Sequence, residues 1–560
     1  SLLTLHLCWM AAKRVFDVVV CGAGSAGCTL ARRLADRMPS LSVALLEEGP
    51  SDFLPSIHIP AALGTLPWLP FNSYRFFTER EKELEGRSLF WPRGRCLGGS
   101  SSINAMIYIR GHPDDYNRWR DVFGLDSWSW ERALQYFLRA EGQTADDLAR
   151  LPHHNGDGPL SVSDLRYVHS SSARFIQACV DAGMDERRDF NDPSSMHGAG
   201  VYQVTQRDGM RGSAAKSYLS SPLPSNLTVL TGASVSRLLF DEDAGRARGV
   251  EVNGAEITAR KKVYLCAGSV HSPTILLRSG IGPSSSMPSS VTPIIAMEGV
   301  GKNLRDHLDV TLSAESYPAH SLGMTVSSIP LYLREGLTYL QQRAGRLTSN
   351  VAEAGGFLDS GEKKREGKGG KETAAPDLQY HFCSAIVKDH GRFPPYPFGY
   401  SLHCCDLHPT SQGEIRIDKR GMPVIAANYL TTERDRAVLT KGVKKAAEVM
   451  ASEHLTSIRK RQYSPKRVSV EDIVSMSDEA VLEEVVRPLA ETIYHPIGTC
   501  KMGAAADSMA VVGQDFNLHG VEGLAVVDAS VFPELVSGNT NAPTIMLAEA
   551  AADIGEQELA

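Results

Sequence analysis

The sequence predicts an α/β fold combined with antiparallel β structure, in which a discontinuous Rossmann-like domain accompanies a second domain built on an antiparallel sheet. Three observations support this prediction. The chain begins with a strand, a glycine-rich turn and a helix, and β-like segments recur in its middle. A strand and a helix similar to the opening ones follow near its end. The first domain is therefore assembled from separated pieces, and the second from what lies between them.

The opening segment predicts a βαβ unit. A first strand is expected over Phe16–Cys21, a helix over Cys28–Met38 and a second strand over Ser42–Glu47, with the glycine-rich turn between the first two elements. The residues Trp68–Phe90 are aromatic and rich in turn formers, so they predict a long loop.

Short strands are predicted in two further regions. The first region is a small β unit beside the opening domain, with strands over Leu227–Thr231, Val235–Phe240, Gly249–Val252 and Lys262–Cys266. The second region is the antiparallel sheet, with strands over Val310–Ser316, Leu378–Phe382, Tyr400–Asp406 and Gly413–Ile417. After a helix over Asp435–Ser452, a strand over Leu524–Asp528 and a helix from Pro543 return to the first domain.

These elements give the predicted domain limits. Residues 14–160, 199–310 and 480–560 form the Rossmann-like domain, and residues 161–198 and 311–479 form the second domain. Residues 361–376 hold eight charged residues and four glycines in sixteen positions. Such a segment has too little apolar surface to order itself, so it predicts a flexible surface loop.

The composition excludes several classes of protein. The 560 residues carry 58 basic and 65 acidic side chains, a formal net charge of −7, which offers no basic field for nucleic acid. Ten cysteines occur without CxxC pairs or paired histidine ligands, so we predict reduced thiols, no metal site and a soluble intracellular protein. No apolar run reaches the ~18–20 residues of a membrane-spanning helix. The chain starts at Ser1 rather than Met, which leaves room for a removed organellar targeting segment, for example a plastid one.

The glycine-rich turn predicts a dinucleotide site. Residues 22–27 read Gly-Ala-Gly-Ser-Ala-Gly, the GxGxxG pattern, directly after a strand and before a helix. The first glycine permits the tight turn, the second lets the backbone approach a pyrophosphate, and the third lets helix and strand pack. Glu47 ends the second strand 20 residues after Gly27, where a carboxylate can accept the hydroxyls of a ribose. NAD and FAD both use such a turn, so the motif alone does not choose between them.

Two longer segments decide between the cofactors. The sequences from Gly94 to Asn104 (GRCLGGSSSIN) and from Gly268 to Gly282 (GSVHSPTILLRSGIG) resemble the two signature patterns of the glucose–methanol–choline (GMC) oxidoreductases. Further motifs that resemble the family occur at residues 301–307 (GKNLRDH), 494–503 (YHPIGTCKMG) and 527–530 (VDAS), so the resemblance extends over nearly the whole chain. It implies a flavoenzyme that binds FAD. Some relatives tether FAD through a histidine near Trp91–Cys96, where this chain has none, so we predict non-covalent FAD.

The resemblance also implies which residues hold FAD. Small residues around Gly98–Ser102 are expected to approach the flat flavin ring, Val235 to meet the adenine, and Asp528 to bond the ribityl–phosphate part. The last helix would direct its positive end at the flavin pyrimidine ring, which favours reduction. The expected cofactor-binding residues are Gly22, Gly24, Ser25, Ala26, Gly27, Glu47, Arg95, Gly98, Gly99, Ser101, Ser102, Asn104, Ala105, Val235, Asp528, Ala529, Asn541 and Thr544.

Two residues are expected to carry catalysis. His495 lies in the motif where the family places its base, and an imidazole with a near-neutral pKa suits removal of an alcohol proton while hydride leaves for flavin N5. The second catalytic position of the family is His or Asn, and we match it to Asn541, whose amide would orient the alcohol oxygen. Asn541 is also suited to a helix cap.

The predicted reaction is oxidation of an uncharged, medium- to long-chain primary aliphatic alcohol to the aldehyde. Residues 347–357 resemble both aliphatic alcohol dehydrogenases and choline dehydrogenases of the family, and Glu353 would suit the ammonium group of choline. A quaternary ammonium also favours an aromatic cage, and no tryptophan follows Trp130. Choline oxidation is therefore the alternative.

Three further points concern function. Algal fatty acid photodecarboxylases resemble the chain, but their functional Cys and Arg correspond to Ala352 and His381 here, so this activity is less favoured. A hydroxynitrile lyase of the same fold, which binds FAD without redox turnover, is likewise less favoured. The electron acceptor is O2 or a quinone, the lack of a membrane-spanning segment favours O2, and the sequence is compatible with a homo-oligomer.

Overall fold

Two seven-stranded sheets form the framework of the protein. The computed structural model describes residues 14–68, 71–220, 222–242, 245–389, 392 and 396–560. The start of the chain at Ser1, on which the prediction of a removed targeting segment rests, lies outside the described residues. Each sheet is packed against its own apolar core, one around the opening βαβ unit and one around the second sheet.

The first sheet is the Rossmann-like one. Its strands, in spatial order, are Leu227–Thr231, Val43–Glu47, Val15–Cys21, Ala255–Leu265, Ala247–Val252 and Val235–Phe240, and Leu524–Val526 pairs with Ala255–Leu265. The pairings around the opening strand are parallel, and the last three strands form an antiparallel meander. The prediction of a separate small β unit is therefore wrong, because its strands pair directly with the opening strands and extend the same sheet.

The second sheet is antiparallel throughout. Its strands, in spatial order, are Arg461–Ser464, Leu308–Glu315, Gly399–Asp406, Leu378–Cys383, Ala354–Leu358 and Gly198–Val201, and Ala490–Thr492 also pairs with Leu308–Glu315. The predicted fold class is confirmed. Three details differ from the prediction. Gly198–Val201 and Ala490–Thr492 join this sheet although the predicted limits place residues 199–201 and 490–492 in the Rossmann-like domain. Glu414–Ile417 pairs with Pro423–Ala426 in a hairpin of its own.

The region predicted as a long loop contains a hairpin. Ser73–Phe77 pairs with Phe90–Gly94 in antiparallel register, so the loop prediction for Trp68–Phe90 is wrong at these strands. The aromatic residues that suggested a loop alternate instead, since Tyr74 and Phe76 lie on one face, where their rings stack on each other and line the central cavity. A period of two was present in the sequence and is typical of a strand.

The α-helices surround the two sheets. Those of eight residues or more span Ser25–Arg37, Pro113–Phe123, Trp130–Ala140, Ser170–Asp181, Gly268–Arg278, Ile329–Gln342, Glu433–Ala451 and Asn541–Leu559. Short ones span Pro55–His58, Asp146–Ala149, Ala214–Tyr218, Glu453–Thr456, Val470–Ser475, Asp478–Val481 and Arg487–Leu489. A 3-10 segment over Pro60–Trp68 borders the cavity described below.

Segment 361–376 lies at the surface and holds one short 3-10 turn at Lys368–Gly370. It is nevertheless anchored at Arg365, whose guanidinium pairs with Asp115 (2.5 Å) and Glu534 (3.1 Å). The prediction of a loop without order overlooked this contact, because a single cation inside a charged run gives no sign that it is buried.

The first and last long helices run parallel and in register. Ser25 Oγ–H donates to Asn541 Oδ1 at 2.7 Å, Arg33 pairs with buried Glu549 at 2.9 Å, and Arg37 pairs with Asp553. Each of these contacts joins residues 516 positions apart. Their N-termini therefore end side by side, and a helix N-terminus carries partial positive charge.

The glycine-rich turn fixes where the first helix begins. Gly24 precedes the helix, and a Cβ placed on it would meet no other atom within 4 Å. A Cβ on Gly27 would come 1.8 Å from the carbonyl oxygen of Gly22, so the third glycine is required for the helix to approach the strand. Gly22 has φ +102°, in the region that favours glycine.

Alanine at these two glycines is expected to separate cofactor binding from packing. Gly27→Ala should destabilise the protein by at least ~3 kcal/mol, because its Cβ overlaps backbone that cannot move aside. Gly24→Ala should fold normally but lose affinity for the dinucleotide, because the open space beside Gly24 is where backbone meets the phosphates. Thermal unfolding of cofactor-free protein and visible flavin absorbance measure the two effects. Equal unfolding temperatures for the two variants would contradict this interpretation.

Candidate active site

One cavity of about 1360 Å³ joins the glycine-rich turn to His495. Its wall includes Gly22 and Glu47 at the Rossmann-like sheet, and His495 with His381 at the second sheet. This volume exceeds the ~300–1,000 Å³ of an ordinary ligand pocket. The cavity therefore has room for a dinucleotide together with a substrate.

Thirteen of the predicted cofactor residues line this cavity. They are Gly22, Gly24, Ser25, Ala26, Glu47, Gly99, Asn104, Ala105, Val235, Asp528, Ala529, Asn541 and Thr544. The wall thus contains the turn, the end of the second strand, the adenine segment and the start of the last helix, in the arrangement that the motifs predicted.

The other five predicted residues do not line this cavity in the described structure. Gly27 packs against Gly22, and Gly98 has φ +86°. The hydroxyls of Ser101 and Ser102 donate to the carbonyls of Gly98 (2.6 Å) and Leu97 (2.7 Å), which holds the turn together. The guanidinium of Arg95 pairs with Glu48 at 3.0 Å. Their role as cofactor contacts stays a prediction, and the hydrogen bonds of the two serines show that the motif also shapes the wall.

The carboxylate of Glu47 is buried at the nucleotide end of the cavity. It accepts hydrogen bonds from the backbone N–H of Ala23 (3.1 Å) and of Gly49 (2.9 Å). Burial nevertheless raises its pKa to about 7, because removing a carboxylate from water disfavours its charged form. Hydroxyl donors of a ribose would add the hydrogen bonds that favour the ionised carboxylate.

The structure of the cavity wall fits an anionic dinucleotide. The parallel helices direct two positive N-termini at it, and the backbone at Gly24 is uncovered. Arg93 also lines the cavity, and its Nε and Nη2 atoms are buried with no hydrogen-bond partner among the described residues. A buried cation without a partner is costly, so a negatively charged or strongly accepting group on the cofactor would stabilise this site.

Buried hydrogen bonds fix the position of His495. Its backbone N–H donates to Asp306 Oδ1 at 2.7 Å, and the other oxygen of Asp306 accepts from Tyr429 (2.5 Å) and from Thr492. Asp306 thus ties the strand that ends at Thr492 to the segment that carries His495. The imidazole itself is 8% exposed and lines the cavity.

A chain of hydrogen bonds sets the tautomer of His495. The carbonyl of Leu407 can only accept, so His307 Nε2, at 2.9 Å, must donate to it. Burial lowers the pKa of His307 to about 4, so this ring is neutral and its Nδ1 accepts. His495 Nδ1, 2.9 Å from His307 Nδ1, is then the donor, which leaves the lone pair of His495 on Nε2.

Burial favours the neutral form of the His495 imidazole. Its pKa lies well below the ordinary value of 6.5, first because burial disfavours the charged ring, and then because His307, His381 and Arg93 are close. At neutral pH, Nε2 therefore holds no proton and can accept one.

The amide beside this nitrogen belongs to Asn539, and the match to Asn541 is wrong. Asn539 Nδ2 lies 3.1 Å from His495 Nε2, and Gln379 Nε2 lies 3.5 Å from the Asn539 carbonyl oxygen, which orients the amide. Asn541 is the first residue of the last helix and accepts from Ser25. It therefore stays a candidate for the cofactor end of the wall, while Asn539 takes the place predicted for the second catalytic residue.

Sequence reasoning missed Asn539, His307 and His381 as site residues. The sequence contained a signal for Asn539, because it lies two residues before Asn541 in the same Asn-Thr-Asn segment. His307 ends the GKNLRDH segment, which resembles the family, but this resemblance alone gives the histidine no role. His381 was weighed only as the position of a missing arginine, and no pattern indicated that its ring faces the cavity.

Comparison with known proteins identifies the family. Two protein-family models, both described as GMC oxidoreductase, match residues 16–309 and 409–548. The chain belongs to the GMC oxidoreductase family. It is accordingly an FAD-dependent oxidoreductase, and the site described above is that of a GMC flavoenzyme.

Relatives match this GMC oxidoreductase along its length. Alcohol dehydrogenase [acceptor] of Pseudomonas putida is 39% identical over 551 residues, 96% of this chain and 95% of the relative. The mitochondrial choline dehydrogenase of Homo sapiens is 38% identical over 558 residues, 96% of this chain and 89% of the relative. Among solved structures, pyridoxine 4-oxidase from Mesorbium loti has a TM-score of 0.81 at 29% identity and covers 96% of this chain and 98% of its own.

A second solved structure supports the fold alone. A crystal structure of formate oxidase has a TM-score of 0.85 at 23% identity and covers 98% of this chain and 99% of its own. In the part of the chain that the structure describes, no helix combines the length and the apolar character needed to cross a membrane.

Variants at the two asparagines are expected to differ in kind. Asn539→Ala should slow reduction of the bound flavin by substrate about 10²–10³-fold, the cost of losing one donor at a developing oxyanion. His495→Ala should slow the same step about 10²–10⁴-fold and keep its FAD. Asn541→Ala serves as the matched control, with a reduction rate within about tenfold of wild type and weaker FAD binding. Anaerobic stopped-flow absorbance measures the rates. A larger loss of rate in Asn541→Ala than in Asn539→Ala would restore the sequence-based match.

Proposed function

We propose that this GMC oxidoreductase oxidises uncharged primary aliphatic alcohols of medium to long chain to aldehydes. The observation that carries the proposal is the neutral, buried imidazole of His495, whose Nε2 faces the amide of Asn539 at the apolar end of the FAD cavity. The curated relative named alcohol dehydrogenase [acceptor], 39% identical over nearly the whole chain, supports an alcohol as the substrate.

The residues of this chain supply the proton chemistry of that reaction. FAD, when bound, supplies the hydride acceptor. The Nε2 atom of His495 takes the hydroxyl proton of the alcohol, and the ring gains positive charge, which His307 Nδ1 stabilises as the acceptor of the Nδ1–H bond. The Asn539 amide N–H holds the alcohol oxygen as its negative charge develops.

The apolar part of the cavity wall favours an alkyl chain. Ala352, Val351 and Ile493 line the cavity together with further apolar side chains. These are Ile103, Met106, Ile107, Leu322, Met324, Ile329, Leu333, Leu347, Ala385, Ile386 and Val387. Apolar surface of this extent recognises a chain of methylene groups, each worth about 0.8 kcal/mol when removed from water.

Glu353 argues against choline as the substrate. Its carboxylate does not line the cavity, and it is fully buried behind the wall. One oxygen accepts from His169 Nδ1 (2.6 Å) and Ser349 (2.5 Å), and the other accepts from Ser172 (2.6 Å), Ser384 (3.0 Å) and the backbone N–H of His169 (2.8 Å). A carboxylate engaged in five hydrogen bonds has no free oxygen for an ammonium group. Among the described side chains, no tryptophan lines the cavity to form a cage.

Anaerobic mixing of the holoenzyme with alcohols tests this proposal. Linear primary alcohols should bleach the oxidised flavin spectrum, with kcat/KM rising about fourfold for each added methylene until the cavity is filled. Choline should bleach it far more slowly than an uncharged alcohol of similar size. If no alcohol from short to long bleaches the flavin, the proposed oxidation is wrong. If choline bleaches it faster than the uncharged alcohols do, the proposed preference for aliphatic alcohols is wrong.

The same preparations distinguish the acceptor. Peroxide formed under air at a rate matching alcohol consumption identifies an oxidase, while turnover only with an added quinone identifies a dehydrogenase. Cleavage of a cyanohydrin without flavin bleaching would instead identify a lyase.

A further inference from the structure

A stripe of exposed apolar side chains runs along the helix Ile329–Gln342 and the turn before it. Val326 is 87% exposed, Ile329 56%, Leu333 68%, Leu337 59% and Leu340 71%. Their spacing of three, four, four and three residues places them on one side of the helix. Tyr339 is the one buried residue of this helix, and Leu331 and Tyr332 are half-buried, so the five exposed side chains form a separate apolar face that points outward.

The stripe is continuous with the catalytic cavity. Ile329 and Leu333 belong both to the stripe and to the cavity wall, and Met324, 53% exposed, also lines the cavity. Val326, Leu337 and Leu340 extend the stripe away from the wall and take no part in lining the cavity. The stripe thus begins at the apolar mouth of the active site and continues onto the outer surface.

The exposed charge beside the stripe is the cation of Arg334. Residues 324–346 contain three arginines, Arg334, Arg343 and Arg346, and one acid, Glu335, a balance of +2 in a chain whose formal net charge is −7. Glu335 and Arg346 are both turned toward the protein, since Glu335 Oε2 accepts from the backbone N–H of Arg346 at 2.9 Å and Arg346 donates to the carbonyl of Pro318 at 2.8 Å. Arg343 lies over the ring of Tyr339, so Arg334 is the exposed charge beside the stripe. An amphipathic helix with apolar side chains on one face and basic residues beside it is suited to an anionic lipid surface.

We propose that this helix docks the enzyme on the surface of an anionic membrane, with the cavity mouth turned toward the acyl chains. A long-chain alcohol dissolved in the bilayer then enters the cavity along the stripe without passing through water. This docking is interfacial and needs no membrane-spanning helix. It rests on the proposed function only in the identity of the substrate.

A second copy of the chain fits this surface less well than lipid does. A 14-residue helix is about 21 Å long and about 10 Å wide, so it offers about 200 Å². A stable protein–protein interface needs about 800 Å² from each partner. A symmetric pairing would also bring the arginines of both copies together.

Flotation of the full-length holoenzyme with vesicles tests the proposal. The vesicles are phosphatidylcholine alone, or phosphatidylcholine with 30% phosphatidylglycerol. The test variant combines Val326→Ser, Leu337→Ser and Leu340→Ser, which spares every residue of the cavity wall. The matched control combines Val122→Ser, Val180→Ser and Leu223→Ser, three apolar residues exposed by 36–48% elsewhere on the surface. Flavin absorbance and unfolding temperature report that each variant is folded.

The expected result is flotation of the wild type and the control variant with anionic vesicles, and about 100-fold weaker binding of the stripe variant. Arg334→Glu should weaken binding to anionic vesicles by at least about fivefold and leave binding to neutral vesicles unchanged. Absence of wild-type flotation, or equal flotation of the stripe variant, would overturn the proposal. So would a dimer in sedimentation velocity that dissociates in the stripe variant while vesicles fail to bind.

Flavin bleaching by a short, water-soluble alcohol, measured without lipid on the same preparations, separates this proposal from the proposed function. If the protein floats with vesicles but no alcohol bleaches its flavin, the docking surface is supported and the proposed reaction is contradicted. If the protein oxidises alcohols but does not float, the proposed reaction is supported and the docking surface is contradicted.

Discussion

The register between the first and last helices is the constraint on which the active site depends. Contacts with a constant offset of 516 residues hold them parallel, from Ser25 with Asn541 at the cavity to Arg37 with Asp553 at the far end. A parallel pair brings two positive N-termini to one point, which antiparallel neighbours would separate. The same pairing determines where the last helix begins, and therefore where Asn539, two residues earlier, meets His495. Cofactor end and catalytic end are thus positioned by one helix.

Burial gives His495 its chemistry. Without solvent to stabilise an imidazolium, the ring stays neutral, and the carbonyl of Leu407 selects its tautomer through His307. Asp306 fixes the backbone on which the ring is carried. None of these groups needs to contact the substrate, yet together they determine that Nε2 presents a lone pair at the place where an alcohol would bind.

The sequence was sufficient for the fold class and for the motifs, since the glycine-rich turn and most strands depend on local pattern and His495 lies in a family motif. It missed the hairpin of Ser73–Phe77 and Phe90–Gly94. It was insufficient where the direction of a side chain decides the role. Asn539 and Asn541 are equivalent in pattern, but only the first precedes the helix and turns toward the base. The sequence suggests a cation site at Glu353, but the structure shows that its carboxylate already accepts five hydrogen bonds. The stripe on Ile329–Gln342 reads as an ordinary amphipathic helix, and only its exposure shows that the apolar face points outward.

The central claim is that His495 is an unprotonated base at neutral pH. The rate of anaerobic flavin reduction by a saturating alcohol, measured by stopped flow from pH 5 to pH 9, tests it most directly. A base with a pKa well below 6.5 is already deprotonated at that pH, so the rate should be constant above pH 6.5 and fall only below it. A rate that is still rising through pH 7 in wild type, and whose rise is absent in His495→Ala, would contradict the account.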